Sequence, residues 1–132
     1  MTQLLPHLLL HSELGTSSSA MILRSAGYVV TKAIDMDSAL RIAQSTHVDG
    51  VIVEVSVFRA LSFIRQLRES AHGDVALLAI SRVPETIQRL IDVPVLDAGA
   101  VEDDLISTVD ILLATRERCG SAYQNSRDAL PR

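Results

Sequence analysis

The sequence predicts an α/β protein: a doubly wound sheet of five parallel strands with helices on both faces. Three observations lead there. Five short apolar runs recur about twenty residues apart, the length of a strand plus a crossover helix. Two of them, Val51-Ile52-Val53 and Val75–Ser81 (VALLAIS), are nearly continuous, as strands covered on both faces require. The segments between the runs carry apolar residues at helical spacing. Strand and helix alternating in series imply right-handed crossovers and a three-layer sandwich.

The elements follow in order. His7–His11 (HLLLH) is the first strand. Thr16-Ser17-Ser18-Ser19 supplies N-caps for the first helix, and Gly27 stops it after Ala26. Tyr28–Ala33 is the second strand. Asp35 or Asp37 caps the second helix, which carries Ala39, Leu40, Ile42 and Ala43. The third strand is read as Val51–Val57 (VIVEVSV). The third helix holds Leu61, Ile64 and Leu67, and His72-Gly73 follows it. Val75–Ser81 is the fourth strand, and Pro84 opens a short fourth helix. Val93–Asp97 is the fifth strand. The fifth helix places Leu105, Val109 and Leu112 on one stripe and is expected to end near Arg116-Glu117-Arg118. The domain is read as residues 1–118. Residues 119–132 (CGSAYQNSRDALPR) are polar and aperiodic, a tail or the start of a linker.

Composition narrows the function. The chain has 132 residues, 48% apolar but only 3% aromatic, so the core must be aliphatic. The formal charge is −4, which disfavours direct nucleic-acid binding by this domain. A single cysteine, Cys119, excludes an internal disulfide framework and a Cys-based zinc site. No apolar run approaches the roughly 20 residues of a membrane span. Met1-Thr2-Gln3 lacks a basic leader region. A cytoplasmic, soluble domain is expected.

In such a sheet, ligands bind beyond the carboxyl ends of the strands. The residues there are His11-Ser12-Glu13, Glu54, Ser81 and Asp97-Ala98-Gly99. Residues 7–117 resemble a bacterial response-regulator receiver domain, whose fold is flavodoxin-like. Gly27-Tyr28 is similar to that family's G-Y/F after the first helix. Asp49-Gly50-Val51-Ile52-Val53-Glu54 resembles its D-x-V-x-x-D third strand, and Phe63–Arg68 (FIRQLR) its third helix. Leu96–Ala100 (LDAGA) stands where the family has L-x-K-P-F, and Asp103-Asp104-Leu105 where it has E-E-L.

The resemblance implies chemistry that these residues do not supply. A working receiver holds Mg²⁺ on carboxylates at the ends of its first and third strands, because that hard cation wants oxygen ligands. Its third-strand Asp attacks a phosphoryl donor. A hydroxyl and a Lys then bind the phosphoryl oxygens. Here the acidic pair aligns with His11 and Ser12, with Glu13 one residue beyond. The nucleophile position aligns with Glu54, whose extra methylene adds about 1.5 Å of reach into the metal's space. The Lys position aligns with Ala98, and the chain's one lysine, Lys32, lies on the second strand. The hydroxyl aligns with Ser81, or with Ala79 after a two-residue shift. The loop after the third strand is short and lacks the family's Met-Pro. A degenerate receiver with no Mg²⁺-dependent phosphorylation, no cofactor and no metal is expected.

Several features carry two readings. Glu54 is either a built-in mimic of a phosphorylated Asp or a solvated strand-end carboxylate; one carboxylate has less charge than a phosphate. His7 and His11 share a strand face and are either a metal pair without a third ligand or ordinary hydrogen-bonding histidines. Gly15–Ser19 either holds an anion at a helix start or simply caps it. Glu102-Asp103-Asp104 is either a docking patch or a first turn suited to the helix dipole. Cys119 is a redox sensor or a spectator thiol.

The expected function is signal transduction or transcriptional regulation by protein–protein contact, through a partner or the protein's own output domain. A homodimer through the last helix is expected, since Ile106, Ile111 and Leu113 lie outside its tightest stripe. Two alternatives stand beside this: an atypical phospho-acceptor using Glu54, Glu13 or Asp97 with Ser81, and a small-anion or nucleotide sensor.

Overall fold

Five strands alternate with five helices along the chain: β1 (His7–Ser12), α1 (Ser18–Ser25), β2 (Val29–Ala33), α2 (Met36–Ser45), β3 (Gly50–Glu54), α3 (Val57–Glu69), β4 (Ala76–Ser81), α4 (Pro84–Leu90), β5 (Val95–Asp97) and α5 (Val101–Ala129). A 3₁₀ turn, Ala98–Ala100, joins β5 to α5. This computed structural model describes residues 5–13, 18–70, 75–90 and 92–129, with residues 116–129 by backbone alone. The sheet order is β2-β1-β3-β4-β5, and every pair is parallel. The doubly wound α/β fold expected from the sequence is the one observed.

Strand alternation sorts the core into two layers. Leu9, Val51, Val53, Leu77 and Ala79 face α2, α3 and α4, where Ala39, Ala43, Phe63, Ile64, Leu67 and Ile87 meet them. Leu8, Leu10, Ile52, Leu78 and Ile80 face α1 and α5, and pack on Leu23, Leu105 and Val109. Fully burying each such aliphatic side chain contributes roughly 1.5–3 kcal/mol. Gly27 ends the first helical turn region with φ +99°, a conformation that L side chains rarely adopt.

Strand ends shift by a residue in places, larger differences fall at β3, β5 and α5, and one of the two offered α2 caps is used. β3 ends at Glu54, and Val57 opens α3. The V-x-V alternation suggests a longer strand, but Ser56 takes the N-cap position and its carbonyl accepts from Ala60 N at 2.8 Å. β5 starts at Val95 because Pro94 has no N–H to give; its carbonyl accepts from Ala79 N at 3.0 Å. Asp35, not Asp37, caps α2, accepting from Ser38 N at 2.7 Å. α5 continues to Ala129, past the helix end expected near Arg116–Arg118. Gly120 costs a helix only about 1 kcal/mol, and no proline intervenes before Pro131.

Candidate functional site

The carboxyl ends of the strands carry the candidate residues. In the ladder Ser12 pairs with Glu54, and Ser81 pairs with Asp97. An open cleft of ≈ 570 Å³ lies over these ends, lined by Glu13, Glu54, Ser56, Ser81, Arg82, Ala98 and the apolar Val55, Val57, Ile80 and Val83. It gathers the positions that the sequence singled out at the ends of β3, β4 and β5.

Each group has a defined place. Ser12 is fully buried, and its alternation puts it on the side of Leu8 and Leu10. Glu54 is half-buried and accepts a hydrogen bond from Ser19 Oγ at 3.0 Å. Ser19 is fully buried in α1, so its part is this bond rather than helix capping. Glu13 accepts from Ser56 N at 3.1 Å and forms an ion pair with Arg59. Ser81 Oγ accepts from Val83 N at 3.0 Å, an ST-type turn that fixes the hydroxyl at the cleft wall. Ala79 lies two residues back on the same face of β4, buried in the core, so the residue at the strand end is Ser81. Asp97 turns to the 3₁₀ segment, where Oδ1 accepts from Gly99 N at 2.8 Å. Ala98 adds no charge to the cleft it lines.

His11 is separated from Glu54. It is 2% exposed on the α2–α3 side, stacked on Phe63 with ring centroids 4.9 Å apart, and Nδ1 lies 3.1 Å from Ala33 O. A carbonyl can only accept, so Nδ1 carries the proton. His11 lines a second cleft of ≈ 440 Å³ with Glu13, Ile34, Asp35, Met36 and Arg59. Asp35 there is held below its ordinary carboxylate value, first by the Ser38 backbone N–H, with Arg41 and His11 adding to the effect. Glu13 lines both clefts, and its partner Arg59 lines the second.

His7 lies at the other end of β1. Its ring nitrogens sit 2.7 Å from Thr31 Oγ1 and 3.2 Å from His47 O. Among the described residues, no three His, Cys, Asp or Glu side chains are placed to hold a metal ion. Lys32 stays on β2, away from the cleft. Gly15, Thr16 and Ser17, the pair His72-Gly73, and the Cys119 side chain lie outside the described residues. Glu102, Asp103 and Asp104 are exposed in the first turn of α5.

The sequence reading missed Arg59, Arg82 and the role of Ser19. Arg59 and Glu13 are 46 residues apart, and Ser19 and Glu54 are 35 apart, so no local pattern joins them.

No family model and no curated protein matches the chain. Solved structures do. The chemotaxis protein CheY4 of Vibrio cholerae superposes with a TM-score of 0.69 at 21% identity, covering 83% of this chain and 99% of that one. The receiver domain of the hybrid histidine kinase CckA gives 0.63 at 25%, covering 82% and 98%. An uncharacterised protein from Neptuniibacter caesariensis gives 0.72 at 17%, covering 96% and 97%. The chain is receiver-like, with the flavodoxin-type fold of receiver domains. Among the described residues, no helix is long and apolar enough to cross a membrane.

Proposed function

We propose that this protein is a pseudo-receiver, a non-enzymatic signalling domain that works by protein–protein contact and without aspartyl phosphorylation. One observation supports the reading: among the described residues, the cleft at the strand ends is lined by Glu13, Glu54 and Arg82 and by no aspartate or lysine. Ser12 stands opposite Glu54 where a second carboxylate would help hold Mg²⁺, and Ala98 supplies no cation. Glu13 already has a guanidinium in Arg59 and a backbone N–H in Ser56. A hard dication gains little from a carboxylate already engaged in that way.

The test is incubation with Mg²⁺ and acetyl phosphate followed by intact-mass measurement. An unchanged mass is expected. A gain of one phosphate, mapped to Glu54, Glu13 or Asp97, overturns the reading and favours the phospho-acceptor.

The contact surface in this reading includes α5, where Ile111 is 64% exposed. Leu112 and Leu113 pack on the core with Leu105 and Val109, so the apolar surplus is narrower than the sequence suggested. A two-fold dimer centred on Ile111, or an output domain for transcriptional regulation docked there, follows. Light scattering of wild type against Ile111→Glu tests the dimer; equal monomeric masses count against it.

A further inference from the structure

We propose that Glu13 is a clasp that couples the two clefts, its two carboxylate oxygens each holding a wall of one of them. Oε1 accepts from Ser56 N at 3.1 Å, and Ser56 lines the cleft over the strand ends. Oε2 pairs with the Arg59 guanidinium, and Arg59 lines the cleft beside His11. Among the described residues, Glu13 is the one that lines both.

The other charged groups of these clefts are accounted for. Glu54 accepts from Ser19 Oγ. Asp35 accepts from Ser38 N, and Arg41 acts on it. Arg82 lines the first cleft, but the guanidinium paired with Glu13 is that of Arg59.

Magnitude decides what the clasp is for. The side chains are 65% exposed at Arg59 and 34% at Glu13. An exposed pair favours its closed form by at most about fivefold, too little to hold a fold together. It is enough to bias a local equilibrium that a small change can reverse. The backbone it holds is the start of α3. Ser56 is the N-cap residue there, without a side-chain cap bond of its own, and Phe58 in the first turn is 85% exposed. Closed, the clasp fixes the turn that presents Phe58. When Arg59 is drawn away in the second cleft, the carboxylate turns free and Ser56 N loses its acceptor. By linkage, loss of the Ser56 bond in the first cleft loosens Arg59 in the second. The inference goes beyond the pseudo-receiver reading, since the link needs no phosphoryl group.

The test is hydrogen exchange of the full chain by NMR, with variants that break either end. Arg59→Met removes the end in the second cleft. Ser56→Pro removes the donor in the first, at a φ of −59° that a proline ring adopts. Each is made alone and together with Glu13→Gln. Arg59→Met should speed exchange of the Ser56 amide by about threefold to fivefold, and Ser56→Pro should speed exchange of the Arg59 Nε–H by a similar factor. In the Glu13→Gln background neither substitution should add to the effect. The amides of Leu8, Leu9 and Leu10 in β1 should keep their rates. If Ser56→Pro does not fold, Arg59→Met with and without Glu13→Gln decides alone. Effects that multiply in the double variants, or a Ser56 rate unchanged in Arg59→Met, overturn the proposal. So does exchange that rises evenly across the sheet, which assigns a purely structural role. A mass gain with acetyl phosphate would sink the pseudo-receiver reading without altering these rates in the unmodified chain.

Discussion

Ser12 and Glu54 are Cα partners across the β1–β3 ladder, with the serine fully buried and the glutamate half-buried beneath the Ser19 hydroxyl. A hydroxyl thus stands where a carboxylate pair would have to meet. Shortening the glutamate alone does not change that. Glu54→Asp should therefore remain unphosphorylated by acetyl phosphate with Mg²⁺, read by intact mass. Phosphorylation of this single variant would mean that Glu13 releases Arg59 and serves the metal.

Ser19→Ala removes the donor to Glu54 from a fully buried position. The loss should be about 1–2 kcal/mol, offset by about 0.5 kcal/mol from alanine's better helix propensity. Urea unfolding of Ser19→Ala, Glu54→Gln and the double variant forms a cycle. A coupling energy near zero would show that the bond contributes nothing.

Phe63→Ala should destabilise by about 3–5 kcal/mol, because Phe63 is fully buried between α3 and the sheet. Phe63→Leu should cost less and yet remove the ring beside His11. In that variant the His11 ring resonances should shift while the α1–α5 layer keeps its own, since Phe63 belongs to the other layer. Shifts spread evenly over both layers would contradict this.

Asp35 titrates below its ordinary value of 3.8 because its charged form accepts the Ser38 N–H. A carboxyl with a depressed folded pKa adds stability above the unfolded pKa and loses it as pH falls through the folded one. Asp35→Asn should thus be less stable than wild type at neutral pH, and the difference should shrink as pH drops below 3.8. Chemical denaturation at a series of pH values measures it. A gap that stays constant into acid would assign the effect to something other than the charge.

The alternation of apolar runs and helical stripes determined the fold class, because covering both faces of parallel strands demands continuous aliphatic runs, and VIV and VALLAI meet that demand. The same reading placed Ser81 and Ala98 at strand ends and named Glu54 as a candidate, although it ran β3 on to Val57. Tertiary structure decided what the sequence could not. Side-chain parity along β1 sent Ser12 to the α1–α5 layer and His11 to the α2–α3 layer, so of two adjacent residues one is buried in the core and the other lines a cleft. The Glu13–Arg59 pair and the Ser19–Glu54 bond join residues from separate βα units. Their partners are set by how α1 and α3 dock on the sheet, a global packing outcome that leaves no periodic trace in the chain.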